Sequence, residues 1–160
     1  MAKEKTPVTQ AVRALRAAKV EFTDHLYEYE EKGGTAASSR ELGVEEHAVI
    51  KTLIMEDEGK NPIIVLMHGD RQVSTKELAR VLGVKTLAPC APETANKHTG
   101  YLVGGTSPFG TRRNMPVYME GTIAEMPRIY INGGKRGYLV GIAPRDLMGI
   151  LSPTLVSVAI

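Results

Sequence analysis

The chain is poor in cysteine, and this scarcity excludes two kinds of structure. Its 160 residues include one cysteine, so neither an intrachain disulfide framework nor a zinc site built from several cysteines can form. That residue, Cys90, lies between Pro89 and Pro92 with no histidine nearby in the sequence. We therefore predict a structural thiol rather than a nucleophile. The four histidines show neither HxH nor HExxH spacing, so we expect no metal and no cofactor.

Long apolar runs and a strong charge imbalance are also lacking. No run approaches the ~18 apolar residues that cross a bilayer. The segment 1–6 is charged and polar, without the apolar core of a signal peptide. These absences predict a cytoplasmic protein with no membrane partner. The formal net charge of +2 argues against a general nucleic-acid coater but allows local basic patches.

The composition that remains is that of an ordinary globular domain. Hydrophobic residues make up 42% and charged residues 24% of the chain. A length of 160 residues suits one well-buried domain and is short for two. We therefore predict a single domain over residues 1–160, and the sequence leaves its oligomeric state open.

Caps and apolar spacing predict five helices. Thr6 is the expected N-cap of the first, with Pro7 as its first residue and an end near Lys19. In the second, Ser38 and Glu41 resemble a capping box, and Gly43 ends the helix. The others are expected after Ser74 (a capping box with Glu77, ended by Gly83), over 91–99 (stopped by Gly100), and from Pro144 to about Leu151.

Short apolar segments between these helices predict strands. Residues 48–55 and 62–68 form an expected hairpin around a turn at 57–61. Helices and strands alternate irregularly, which favours one mixed α/β (α+β) domain over a doubly wound parallel sheet. The many glycines would let such a sheet curl strongly or close into an irregular barrel. Further extended segments are 21–29, 117–119, 129–131, 138–142 and 155–160.

Lys51 is the residue that least fits its surroundings. It interrupts the apolar run 48–55, and in an extended strand it shares a face with Val49, Leu53 and Met55. An ammonium among apolar neighbours is costly unless it is paired or lines a polar cavity. Two interpretations follow from the residues alone: an edge strand whose lysine extends its amine to water, or a functional cavity.

Two glycine-rich segments are candidates for ligand contact. Segment 100–110 (GYLVGGTSPFG) combines four glycines, which let backbone N–H groups approach a ligand, with a stiffening proline. It matches neither GxxxxGK[ST] nor GxGxxG, and a tight connecting turn explains it equally well. Segment 132–137 (NGGKRG) carries adjacent cations suited to phosphates or an RNA terminus, although a solvated hairpin tip would also carry them.

Four further side chains could extend a nucleic-acid surface. Arg112 and Arg113 would add cations to it. Tyr27 and Tyr29 could stack on a base or a ribose, although half-buried packing at a strand edge is the ordinary explanation for such tyrosines.

Together these segments resemble the YbaK/EbsC family of free-standing aminoacyl-tRNA editing proteins, which is related to the insertion domain of bacterial prolyl-tRNA synthetases. The resemblance rests on Lys51-Thr52-Leu53 in an apolar strand, GYLVGGTSP at 100–108 and GGKRG at 133–137, and it covers about Pro7 to Leu155. It implies a strongly curled mixed sheet or irregular barrel flanked by helices. It also implies deacylation of mischarged tRNA, above all Cys-tRNA(Pro), without a cofactor.

The resemblance assigns roles to individual residues. Lys51 matches the family's essential lysine, Tyr27 its tyrosine after the first helix, and Gly104 to Pro108 the loop that cradles the aminoacyl carbonyl. The implied catalytic residues are Lys51, Gly104, Gly105 and Ser107. The implied substrate-binding residues are Tyr27, Thr52, Thr106, Pro108, Asn132, Gly133, Gly134, Lys135 and Arg136.

Two positions depart from the family's pattern. Asn132 stands where Cys-tRNA(Pro) deacylases can carry serine, and Leu139 stands where some members have an acidic residue. Both changes bear on the polarity of the pocket, and therefore on which aminoacyl ester is preferred.

The implied mechanism needs neither a metal nor a protein nucleophile. Backbone amides of Gly104 to Ser107 would stabilise the carbonyl oxyanion, Lys51 would position the ester, and the substrate's own thiol would attack its carbonyl to release a thiolactone. Three alternatives stay open: an editing protein for Ala-tRNA(Pro) or another small aminoacyl-tRNA, a module that binds tRNA or a synthetase without turnover, and a general nucleotide- or RNA-binding protein. Because the net charge is modest, discrimination between tRNAs is expected from a partner such as prolyl-tRNA synthetase.

Overall fold

The computed structural model describes residues 6–160, which form a mixed sheet with helices on both faces. Within these residues every helix is too short or too polar to span a bilayer. Short 3₁₀ helices span Glu46–Ala48 and Gly121–Glu125. The helices are α1 (Gln10–Ala17), α2 (Gly34–Leu42), α3 (Thr75–Leu82), α4 (Pro92–Thr99) and α5 (Pro144–Leu151). The strands are β1 (Thr23–Leu26), β2 (Val49–Asp57), β3 (Pro62–His68), β4 (Leu87–Pro89), β5 (Val117–Glu120), β6 (Ile129–Lys135), β7 (Tyr138–Ile142) and β8 (Thr154–Val156).

The sheet combines parallel and antiparallel pairs. Its strand order is β1-β7-β6-β2-β3-β5-β8, and β4 pairs with β2 outside this path. The pairs β2–β3, β6–β7 and β1–β7 are antiparallel, whereas β2–β6, β3–β5 and β5–β8 are parallel. Because β1 and β8 are the two ends of this order, the sheet is open. The prediction of a mixed α/β sheet flanked by helices is confirmed. Of its two forms, the structure has the sheet and not the irregular barrel.

Two hydrophobic clusters explain why β3 is an uninterrupted apolar run. Ile64 and Leu66 pack with residues of α1, α4 and α5 on one face. Ile63, Val65 and Met67 pack with residues of α3 on the other. A strand covered on both faces needs apolar side chains at both alternating positions. β3 is therefore an interior strand covered on both faces, and the hairpin that it forms with β2 lies where predicted.

Several predicted helix ends are confirmed by their cap geometry. Ser74 is the N-cap of α3 and accepts a hydrogen bond from the Glu77 amide at 3.2 Å. Gly83 and Gly100 end α3 and α4 with φ of 73° and 82°, where glycine carries no steric penalty. Pro144 is the first residue of α5.

The predicted start of α1 is wrong. The helix begins at Gln10 rather than Pro7, because Thr9 is the N-cap and its side chain accepts from the Val12 amide at 3.1 Å. The hydroxyl of Thr9 also donates to the carbonyl of Gly133. The local signal at Thr6 is therefore overridden by a long-range contact.

The predicted capping box of α2 is also wrong. The helix begins at Gly34, so Ser38 lies inside it and donates to the Thr35 carbonyl at 3.2 Å. A serine satisfied by the preceding turn is tolerated within a helix. Gly43 ends the helix as predicted.

Three extended segments differ from the prediction. The segment 21–29, predicted to be extended throughout, contains only the short strand β1. Instead of one strand over 155–160, the structure has the shorter strand β8 and, after it, an isolated bridge between Val73 and Ala159. The sequence does not predict β4, which ends in Pro89. β4 pairs with β2 alone, and a proline is tolerated in such an edge strand.

Candidate active site

β2 has one fully paired edge and one interrupted edge. On one side it pairs with β3 from Ile50 to Glu56. On the other side it pairs with β6 only at Val49 and Ile50, and with β4 only from Met55 onward. The sheet therefore splits beside the middle of β2.

A cavity of about 570 Å³ lies at this split. Small-ligand sites usually enclose ~300–1,000 Å³. Among residues 6–160, no three His, Cys, Asp or Glu side chains cluster as metal ligands. The predicted site residues that line the cavity are Tyr27, Lys51, Thr52, Gly104, Thr106, Asn132 and Arg136. The predicted site residues outside its lining are Gly105, Ser107, Pro108, Gly133, Gly134 and Lys135.

Lys51 lies in the cavity wall as a half-buried cation. Its ammonium donates a hydrogen bond to the carbonyl of Arg71. Burial lowers the pKa of Lys51, and the carboxylates of Glu46 and Asp70 act in the opposite direction. β2 lies inside the strand order, but its edge is unpaired at Lys51 on the side of β6 and β4, so the pairing alone does not decide between the two interpretations. Its location in the cavity wall fits the second of them, a lysine that lines a cavity.

Thr52 presents polar groups at the open edge of β2. Its hydroxyl oxygen is buried and has no hydrogen-bond partner in the described part of the chain. The carbonyl of Val49 accepts from the Gly69 amide on the β3 side, whereas that of Ile54 accepts from the Cys90 amide on the other side. Because backbone groups alternate along a strand, Thr52 directs its N–H and C=O toward the open edge. A ligand in the cavity would meet this backbone pair, whereas the hydroxyl is covered by protein atoms.

The loop after α4 reaches the cavity through Gly104 and Thr106. Gly104 has a φ of +91°, and a Cβ at this position would lie 2.6 Å from the Tyr29 hydroxyl oxygen. Only glycine fits this combination of conformation and contact. The loop backbone can therefore approach a ligand closely at this point.

The other predicted site residues of this loop do not line the cavity and instead stabilise the loop conformation. The Gly105 amide donates to the Leu102 carbonyl at 2.8 Å. Ser107 is fully buried, and its hydroxyl accepts from the Phe109 amide at 3.2 Å. Pro108 is buried as well. These residues fix the loop conformation rather than contact the cavity.

Asn132 connects this loop to the β6–β7 hairpin. Its Nδ2 donates to the Gly104 carbonyl at 3.1 Å, and its Oδ1 accepts from the amides of Gly134 at 2.6 Å and Lys135 at 3.2 Å. These bonds stabilise the irregularity between Asn132 and Lys135 in β6. The predicted turn at 133–137 is thus shorter than expected, since β6 continues to Lys135.

Aromatic and cationic side chains stand beside the loop. The Arg136 guanidinium lies 5.2 Å from the Tyr29 ring centroid, and its Nε donates to the Val103 carbonyl at 2.8 Å. Tyr29 and Tyr27 both line the cavity. Burial raises the pKa of Tyr27, so its hydroxyl is a neutral donor at physiological pH.

Cys90 also lines the cavity, which local sequence does not predict. Its amide donates to the Ile54 carbonyl at 2.9 Å and so extends the β4 pairing. Burial, with Glu56 adding to the effect, raises the pKa of the Cys90 thiol to about 11. The protonated thiol is a poor nucleophile at neutral pH. Leu139, which the resemblance already connected with the polarity of the pocket, lines the cavity, and Thr35 is a further lining residue that the sequence analysis missed.

Comparisons with known proteins show the family to which the chain belongs. A family model described as "Aminoacyl-tRNA editing domain" matches residues 30–150. A protein of Enterococcus faecalis named "Putative Cys-tRNA(Pro)/Cys-tRNA(Cys) deacylase EbsC" is 29% identical over 152 residues, covering 94% of this chain and 93% of its own. A proline–tRNA ligase of Thermodesulfovibrio yellowstonii is 35% identical over 80 residues, which cover 50% of this chain and 14% of the ligase.

The fold has a counterpart among solved structures. A crystal structure of "a putative trans-editing enzyme for prolyl tRNA synthetase" superimposes with a TM-score of 0.81 at 19% identity, covering 96% of this chain and 98% of that one. The region matched by the family model contains Lys51 and both glycine-rich segments. The chain therefore belongs to the aminoacyl-tRNA editing domain family.

Proposed function

We propose that this chain is a free-standing deacylase that clears mischarged Cys-tRNA(Pro). Membership of an editing family supports deacylation, and the name of the E. faecalis relative supports the cysteinyl ester. The observation that carries the proposal is the cavity at the split in the sheet. Its wall combines the partly desolvated ammonium of Lys51, the unpartnered hydroxyl of Thr52 and a glycine loop. We infer that the Thr52 side chain turns toward the substrate on binding, which would give its hydroxyl a partner.

In the proposed complex, the terminal adenosine and its aminoacyl ester occupy the cavity. Lys51 positions the ester and supplies positive charge beside it. The amides of Gly104 and Thr106 stabilise the oxyanion that develops on the carbonyl. The Gly105 amide is already bonded to the Leu102 carbonyl, so it takes no part in this step.

The proposed nucleophile is the thiolate of the substrate's own cysteine. It attacks the ester carbonyl carbon, the new S–C bond closes a thiolactone, and the C–O bond to the ribose breaks. The thiol proton is lost to solvent, and the departing ribose oxygen takes up a proton. Holding the thiolate beside the carbonyl makes the attack intramolecular. A serine hydroxyl is a weaker nucleophile, so a seryl ester would react more slowly.

A second candidate substrate is Ala-tRNA(Pro) or another small aminoacyl-tRNA. Leu139 is buried and lines the cavity, and this apolar wall would favour a small apolar side chain. Alanine carries no nucleophile, so its ester would require a bound water. A third candidate is a module that holds tRNA or a synthetase without turnover.

The proposed macromolecular partners are tRNA, through its 3′ aminoacyl end, and prolyl-tRNA synthetase. The similarity to part of a proline–tRNA ligase supports this association. In this arrangement the synthetase supplies the discrimination between tRNAs, and the protein acts in the cytoplasm where aminoacyl-tRNA is used.

The substrate assignment is tested by offering Cys-tRNA(Pro), Ala-tRNA(Pro) and Ser-tRNA(Pro) to the wild-type protein at equal concentration. We expect rapid loss of the cysteinyl ester, with a thiolactone identified by mass spectrometry. Faster loss of the alanyl ester would instead establish the second candidate. If all three esters persist at the uncatalysed rate, the enzyme proposal fails for these substrates and a binding role replaces it.

A further inference from the structure

A group of basic side chains lies at the end of α4, outside the cavity. Lys97 and His98 belong to the last turn of the helix, and Arg112 and Arg113 belong to the loop that returns alongside it. The amides of Arg112 and Arg113 donate to the carbonyls of Thr99 at 3.1 Å and His98 at 2.8 Å. We call these four basic residues the α4 patch.

The side chains of the α4 patch are not used by ion pairs within residues 6–160. The four ion pairs described there involve other cations: Arg40, His47, Lys60 and Arg80. Burial, with the positive charges of Arg113 and Lys97 adding to it, lowers the pKa of His98, whereas Glu56 acts in the opposite direction. His98 is therefore mostly neutral at physiological pH, and the positive charge of the patch, which attracts a polyanion, comes from Lys97, Arg112 and Arg113.

Interaction with the C-terminal end of the helix explains only two of the four residues of the α4 patch. Lys97 and His98 face the negative end of a helix dipole, which favours cations in the last turn. Arg112 and Arg113 cap the helix with their backbone amides, so their exposed side chains are not needed for that purpose. The Arg112 side chain packs beside Gly100, but neither guanidinium makes a hydrogen bond or ion pair within residues 6–160.

The α4 patch lies near the cavity along α4, although none of its four residues lines the cavity. Ala95 lines the cavity, and His98 follows it by three residues on the same side of α4, roughly 5 Å away along the chain's helical rise. The helix then leads directly into the loop that brings Gly104 to the cavity wall. A ligand longer than one nucleotide could therefore extend from the cavity to the α4 patch.

We propose that the α4 patch binds the phosphate backbone of the tRNA acceptor end while the terminal aminoacyl-adenosine occupies the cavity. This inference rests on the proposed function for its choice of polyanion. Phosphate contacts position a nucleic acid without reading its sequence. The patch thus supplies general tRNA affinity and leaves the selection of tRNA(Pro) to other contacts.

The test compares R112Q/R113Q with K76Q/R145Q, which removes the same charge from exposed positions on α3 and α5, outside the cavity lining. The affinity of each variant for uncharged tRNA(Pro) is measured by filter binding between 50 and 200 mM salt. Single-turnover deacylation is measured in parallel on Cys-tRNA(Pro) and on a short cysteinyl-adenosine ester.

We expect R112Q/R113Q to bind tRNA more weakly and to reduce the slope of log affinity against log salt by about 1.4, at about 0.7 for each phosphate contact on a single strand. Its deacylation of the short ester should match wild type, as should all properties of K76Q/R145Q.

Equal tRNA affinity and salt slope in wild type and R112Q/R113Q would overturn the inference, as would equal losses in the two double variants or no binding by wild type at 50 mM salt. If wild type deacylates neither ester but binds tRNA through the patch, the proposed function fails while the patch assignment stands.

Discussion

The Thr52 hydroxyl is buried without a partner, which is unfavourable for folding. Leaving a polar group in this state costs about 1–3 kcal/mol relative to a hydrogen-bonded one. Its neighbours in β2 show no such penalty, because Ile50 and Ile54 simply pack into a hydrophobic cluster. Under the proposed function, this hydroxyl gains a partner only when substrate is bound.

Thr52→Val should separate stability from activity. Valine has nearly the same shape and removes the unsatisfied hydroxyl, so we expect the free energy of unfolding to rise by about 1 kcal/mol in urea denaturation. Deacylation of Cys-tRNA(Pro) should fall in the same variant, whereas Thr52→Ser, which retains the hydroxyl, should keep most of it. A valine variant with undiminished deacylation would mean that the hydroxyl does not contact the substrate.

Cys90 should be slow to react despite lining the cavity. Its raised pKa of about 11 keeps the folded thiol protonated, whereas the same thiol in the unfolded chain ionises near its ordinary value of about 8.5. Alkylation of the native protein should therefore rise about tenfold per pH unit from pH 7 to 10 without levelling off. In urea the rate should level off above about pH 9.

Because the chain has one cysteine, the alkylation signal is unambiguous. A plateau near pH 8.5 in the folded protein would contradict the raised pKa. Cys90→Ala should then leave deacylation of Cys-tRNA(Pro) within a factor of about two of wild type, because a protonated thiol is not the nucleophile. Loss of turnover in that variant would refute attack by the substrate's own thiol.

The loop and the β6–β7 hairpin form one assembled element through their contacts with Gly104. The Tyr29 hydroxyl occupies the space where a Cβ on Gly104 would lie. Asn132 donates a hydrogen bond to the carbonyl of Gly104. The loop conformation is thus set by two other segments of the chain as well as by its glycines.

Gly104→Ala should disrupt this element. The positive φ costs about 1 kcal/mol for alanine, and the added Cβ forces Tyr29 away, so deacylation should fall at least tenfold while the fold survives. Gly149→Ala is the control, since Gly149 lies in α5 with open space around it and alanine there should stabilise the helix by about 0.5–1 kcal/mol. Equal activity in the two variants would show that the loop geometry is unimportant.

Asn132→Asp should loosen the connection between loop and hairpin. The carboxylate keeps the acceptor that binds the Gly134 and Lys135 amides, but it loses the Nδ2 donor and places a negative charge beside the Gly104 carbonyl. We expect reduced kcat for deacylation with a small change in the thermal unfolding midpoint. A large loss of stability without a kinetic effect would show that Asn132 serves the fold alone.

At the scale of the whole molecule, local pattern predicts the elements and misses their arrangement. The apolar run of β3, the cap at Ser74 and the glycine at the end of α4 each depend on neighbours in the chain, and each was predictable. The split beside β2 depends on how far β6 and β4 pair with it, which no local spacing encodes. Cys90 and Thr35 reach the cavity only through that arrangement.

The predicted site residues fall into two groups, those that line the cavity and those that support its wall, because local sequence does not encode the arrangement of the strands. Lys51 was identifiable because a cation in an apolar strand is conspicuous, and the resemblance to an editing family added the glycine loop. Sequence motifs did not distinguish residues that face the cavity from those that hold its walls, such as Ser107 and Gly133. That difference depends on side-chain direction in the folded loop and at the irregularity in β6.

The central claim is that the cavity beside Lys51 is where the aminoacyl ester is cleaved. The most direct measurement is the single-turnover rate of Cys-tRNA(Pro) deacylation by Lys51→Ala, compared with Lys76→Ala, which removes the same charge from the exposed surface of α3. The account predicts a loss of about 100-fold or more in the first variant, because it removes the charge beside the developing oxyanion, and wild-type activity in the second. Equal rates in the two variants, with both proteins folded, would contradict it.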